Sequence, residues 1–226
     1  MNRLSALVLR EMSQTAIYVA GLAAAPLFIT GFFIVAKFHL SLSVTLQRGL
    51  SISLAFGVLG VLQLVQMTIL KEKSGGGFLF LRMLPVNDAE IISSKLLAIL
   101  LDVLIICGIP LMVTSGAMIY YHVGFPAGSW LAVAWCYVFF TALAVGMAAC
   151  AIQFDSQRAL LFPLLIGIAL IASGYLVWKH LPMFVRLALW FGIQNWGIFV
   201  AMALIWLGWL GTIHIFSKQD FVQLSE

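Results

Sequence analysis

The chain has 226 residues, 63% of them hydrophobic and 9% charged, against roughly 45–50% and about 25% in ordinary soluble domains. With a mean hydropathy of +1.11, this excludes a soluble globular domain and implies a polytopic membrane protein whose apolar surface is covered by lipid. The net charge is +4, but no basic run of the nucleic-acid-binding kind occurs, so no nucleic acid partner is expected and the cations are read as topology signals.

At the start of the chain, Leu4, Leu7, Val8 and Met12 recur at helical spacing opposite Asn2, Arg3, Arg10 and Gln14. The pattern predicts a short amphipathic helix on the inner leaflet ahead of the first span. Arg3 and Arg10 before the apolar run, with Ala23-Ala24-Ala25 following, also resemble a cleaved leader. Pro26 is poorly placed after such a cut, and the run continues through Ile29 and Phe33 to Ala36, so a full span is the reading.

Apolar stretches of spanning length fall at about 16–37, 50–70, 96–121, 129–152, 159–178 and 191–216. The expected fold is therefore all-α, a single membrane domain of six transmembrane helices over 1–226 with both termini on one side. Placing the termini inside gives eight inner cations (Arg3, Arg10, Lys71, Lys73, Arg82, Lys95, Arg158, Lys218) against four outer ones (Lys37, Arg48, Lys179, Arg186). That agrees with the positive-inside rule and predicts a multi-pass protein of the cell membrane with cytoplasmic termini. Tyr120, Tyr121, Trp130, Trp135, Trp178, Trp190 and Trp196 fall near the outer helix ends, as an interfacial belt does. Small residues four apart, such as Ser53 with Gly57 and Gly208 with Thr212, indicate close helix packing. The three cysteines, Cys107, Cys136 and Cys150, lie in apolar runs without metal spacing, so neither a disulfide framework nor a zinc site is expected.

The loop from Lys71 to Lys95 carries the densest pattern. Asn87 with Glu90 forms a capping box that opens the third span, and Val86 with Ile91 supplies a hydrophobic staple. Gly75-Gly76-Gly77 and Pro85 isolate the segment Phe78 to Leu84 as a short element of its own, solvated only by Arg82. Such a patch either dips into the leaflet or docks on a partner. The glycines are not a phosphate loop, since no Lys-Ser or Lys-Thr follows them, and no nucleotide hydrolysis by the chain itself is expected.

Within the spans the polar candidates are Asp102, Gln63 with Gln66, and Gln194 with Asn195. Asp102 is either functional or a structural partner of Lys95, Arg158 or another helix end; the amides either line a pathway or bond between helices. His39, His122, His180 and His214 are scattered, and no nucleophile has a base at suitable spacing, so no catalytic residue, metal or cofactor is expected. A proton-coupled secondary transporter using Asp102 is the alternative to the reading that follows.

The stretch Lys71, Glu72, Gly76 or Gly77, Leu81, Arg82, Leu84, Pro85, Val86, Asp88, Glu90, Ile91, Ile92 and Lys95 resembles the permease subunits of type-2 ABC exporters. Haem-export permeases are similar at the coarse level of the spans. The resemblance implies a half-transporter, in which two six-span permeases, identical or different, work with separate cytoplasmic ABC ATPases. It implies a coupling helix over Phe78 to Leu84, with Glu72, Phe78, Phe80, Leu81, Arg82, Leu84, Pro85 and Glu90 as ATPase-coupling residues. It further implies a second contact through the N-terminal surface helix and a re-entrant outer element over 179–190.

Overall fold

The computed structural model describes residues 3–35, 42–83, 85–122, 129–154 and 193–218, together with 163, 165–169, 173, 179–183 and 185. Helices α1 (Arg3–Val35), α2 (Leu42–Val65), α3 (Lys71–Ser74), α4 (Gly77–Met83), α5 (Asp88–Tyr120), α6 (Ser129–Gln153) and α7 (Ile198–Ser217) account for nearly all of them. A π turn over Gln66–Leu70 joins α2 to α3, and another over Ile193–Gly197 leads into α7. Among the described residues, five continuous helical stretches are long and apolar enough to cross a membrane: Arg3–Val35, Val44–Ser74, Asp88–Tyr120, Ala134–Gln153 and Ile198–Ser217. Most of the expected fifth span, 159–178, and half of the re-entrant element, 179–190, lie outside the described residues.

The separate N-terminal surface helix does not form; α1 is continuous from Arg3 to Val35, with Pro26 inside it. Its facing agrees with the sequence pattern, because Val8 is buried and Arg3, Arg10 and Gln14 are exposed. No Gly or Pro interrupts the stretch between Gln14 and Ala16, so helix propagation carries through. The buried stripe is Val8, Glu11, Thr15, Val19, Ala23, Pro26 and Thr30, and the three- and four-residue steps keep it on one face. It therefore contains a carboxylate and two hydroxyls.

Named contacts fix the helix directions. Arg3 reaches the Pro85 carbonyl, Glu11 meets Lys95 and Thr15 meets Asp102, so α1 and α5 run parallel. Gly49 lies against Thr30 and Thr114, and Gly57 against Cys107, so α2 runs antiparallel to both. Phe140 also touches Gly57, and Lys73 reaches Ile152, so α6 runs with α2. Trp135 against Gly197 and Val145 against Gly208 set α7 parallel to α6. Arg3 and Lys218 consequently share one end of the bundle, here termed basal, and residues 154 and 193 lie at opposite ends. The core is where α2, α5 and α6 meet, with Leu64, Ile99, Val103, Ile106, Ala144 and Met147 fully or almost fully buried. A Cβ on Gly57 would lie 2.5 Å from the Cys107 sulfur and 2.7 Å from the Phe140 ring, so glycine is what lets α2 approach both neighbours.

Candidate functional site: the basal loop between α2 and α5

The loop begins where the π turn shifts the register of α2, keeping Ile69, Leu70 and Lys73 buried as the helix leaves the core. Gly75 closes α3, and Gly76 turns the chain with φ +70°, a left-handed conformation that glycine adopts without steric cost. Seven residues of α4 follow. Their helical period places Phe78 and Leu81 inward, 1% and 2% exposed, and Leu79, Phe80 and Met83 outward. Pro85 then ends the segment. Asn87 Oδ1 accepts from the Glu90 backbone N–H at 2.7 Å, and Glu90 Oε2 accepts from the Asn87 N–H at 3.2 Å. The expected capping box thus opens α5, and both staple residues, Val86 and Ile91, join the apolar cluster.

Four basic side chains tie the surrounding helices to this loop. Lys95, fully buried, contacts Glu11 Oε2 at 3.1 Å and Glu72 Oε2 at 2.7 Å, with its ammonium 5.4 Å from the centre of the Phe78 ring. The Glu72 oxygen takes no hydrogen bond, so the Lys95 charge is its compensation. Arg82 grips Asp88 with a two-pronged contact, Nε to Oδ1 and Nη2 to Oδ2, both 3.1 Å. The same Nη2 donates to the Phe216 carbonyl at 2.7 Å, and the guanidinium lies 4.9 Å from the centre of that residue's ring. Lys73 Nζ donates to the Ile152 and Ala151 carbonyls. Lys73 and Arg82 therefore satisfy carbonyls at the C-terminal ends of α6 and α7, where the helix dipole also favours a cation. Arg3 Nη1 donates to the Pro85 carbonyl at 3.1 Å and fastens α1. Phe78 and Phe216 meet edge to face with centroids 5.0 Å apart, completing an apolar floor beneath the charges.

The residues singled out in the sequence are placed as follows. Phe78 and Leu81 are core residues of the loop, because the period of a seven-residue helix cannot present both them and Phe80 outward. Glu72 and Glu90 are engaged in an ion pair and a cap. Pro85 is exposed and Leu84 lies outside the described residues. Asp102 does not pair with Lys95. The two lie about 10 Å apart along α5, Lys95 already faces two carboxylates, and Asp102 accepts from the Thr15 hydroxyl at 2.6 Å instead. Arg158 lies outside the described residues. Gln63 and Gln66 are half-buried, with Gln66 opening the π turn; Gln194 and Asn195 fall on the second π turn, their side chains outside the described residues. The sequence reading missed Glu11 and Lys73. A signal for Glu11 existed, since it shares a helical stripe with Val8, Thr15 and Val19.

Among the described residues, no group of three His, Cys, Asp or Glu side chains is placed to hold a metal ion. The arrangement is a short helix with an apolar outer face, held through Arg82 to the start of α5 and the end of α7, within a loop whose Lys73, Pro85 and Lys95 contact α6 and α1. No family model, curated protein or solved structure matches this chain.

Proposed function

We propose that this chain is the permease subunit of a type-2 ABC exporter, a six-crossing protein of the cell membrane with cytoplasmic termini, acting as a homo- or heterodimer with a separate cytoplasmic ATPase. The observation that carries the reading is the seating of α4. Its inner residues, Phe78 and Leu81, are locked into the bundle, while Leu79, Phe80 and Met83 project from the basal end. A load on that outer face passes through Arg82 to α7 and Asp88, and the capped start of α5 supplies a stiff lever for rigid-body rocking. The eight-to-four distribution of basic residues supports a cytoplasmic basal end. The opposed ends at residues 154 and 193 support a further crossing between α6 and α7.

The test is affinity purification of the full chain from its native membranes, followed by identification of nucleotide-binding proteins held in stoichiometric amount. An ABC ATPase is expected with the wild type and is expected to be lost from Phe80→Asp and Met83→Asp while both variants still insert. Retention of the ATPase by both variants, or its absence from the wild type, overturns the proposal. Proton-coupled transport, the rival reading, instead predicts substrate movement driven by a pH gradient without nucleotide.

A further inference from the structure

A groove of about 480 Å³ runs between α1 and α5, within the roughly 300–1,000 Å³ common for ligand sites. Its walls are almost entirely apolar, with Ala16, Ala20, Ala23 and Ala24 forming a narrow side and Asp102 at the basal end. Asp102 is 2% exposed. Its Oδ2 accepts one hydrogen bond, from Thr15, its Oδ1 accepts none, and no cationic side chain among the described residues pairs with it. The Thr15 hydroxyl has a single proton and also lies 3.2 Å from the Met12 carbonyl and 3.3 Å from that of Glu11, so even this one bond has competitors. A buried carboxylate without a counter-charge at the end of an apolar slot is costly alone and complementary to a cation with an apolar tail.

Depth adds a second constraint. Asp102 lies about 27 Å along α5 from Tyr120, close to the roughly 30 Å hydrocarbon thickness, so if Tyr120 belongs to the outer aromatic belt the carboxylate falls near the basal membrane boundary and Ala20, Ala23 and Ala24 fall toward the hydrocarbon. We propose that this groove binds single-chain lipophilic ammonium compounds, with the ammonium on Asp102 and the chain along Ala20, Ala23 and Leu27. Such a ligand enters sideways from the leaflet on the basal side. Neutral and anionic amphiphiles of the same length lack the matching charge. The site stands or falls independently of any ATPase.

The experiment is native mass spectrometry of the full chain titrated with dodecylamine, dodecanol or phosphatidylethanolamine. Dodecylamine is expected to bind the wild type in preference to the other two. Its affinity is expected to fall more than about tenfold in Asp102→Asn, which removes the charge at constant size. A similar fall is expected in Ala20→Phe, which fills the exposed slot and leaves the carboxylate in place, so the test survives if the first variant misfolds. Equal binding of dodecanol, unchanged binding by either variant, or displacement of dodecylamine by phosphatidylethanolamine overturns the proposal. So does ligand-independent cross-linking between copies carrying Ala24→Cys, which places a second copy in the groove.

Discussion

Lys95 stands between two carboxylates that approach it from different helices, and its removal leaves Glu11 and Glu72 sharing a buried site with no cation. Lys95→Met is expected to lower stability by about 3–5 kcal/mol, the usual cost of breaking a buried ion pair. Adding Glu11→Gln and Glu72→Gln to it is expected to recover most of that loss; chemical denaturation in detergent measures both, and a triple variant as weak as the single one would show that packing is responsible. Gly57→Leu is expected to cost at least about 1–3 kcal/mol by overpacking against Cys107 and Phe140, read as a lower unfolding midpoint. Local chemistry was legible at this scale: Asn87 and Glu90 are three residues apart and their cap depends on little else. Lys95 was not, because its partner Glu11 is 84 residues away in sequence, and only the parallel packing of α1 on α5 selects it over Asp102.

Helix α4 shows how far an element can be inferred from its borders. The glycines and Pro85 define it in sequence, yet its apolar composition alone does not say which residues turn inward. The Phe216 ring, supplied by α7, helps decide that, receiving Phe78 edge to face. Phe78→Asp and Leu81→Asp are accordingly expected to cut the yield of folded protein on size-exclusion chromatography, whereas Phe80→Asp and Met83→Asp are expected to leave it intact. Arg82→Lys keeps the charge but loses the two-pronged geometry. Faster amide hydrogen exchange over the last turn of α7 is the expected result; unchanged protection would remove Arg82 from its role as a cap. The N-terminal surface helix failed as an expectation for a related reason, since the periodicity shared by a surface helix and a buried one does not reveal where a helix ends when no breaker is present.

For the whole molecule, the parallel course of α6 and α7 is the strongest topological constraint. It puts residues 3 and 218 at the same end although the fifth expected span lies mostly outside the described residues. Single cysteines at Arg3 and Ser217 are expected to react with an impermeant maleimide from the same side of sealed vesicles, and one at Tyr120 from the other. Labelling of Arg3→Cys and Ser217→Cys from opposite sides would contradict the arrangement. Composition made the membrane class legible because lipid tolerates what water does not, but the same uniform apolarity hid the order in which the helices pack.

The two cations that cap α6 and α7 belong to a loop synthesised before either helix. While the ribosome is still making the later segments, Lys73 has no Ile152 carbonyl and Arg82 has no Phe216 carbonyl to receive it. Arg82 already has Asp88 within its own loop, so of the two cations Lys73 depends more fully on the later helix. The order of synthesis makes the acceptor on α6 available before the one on α7, and a chain ending short of Phe216 leaves Arg82 without its acceptor on α7 and Phe78 without its facing ring.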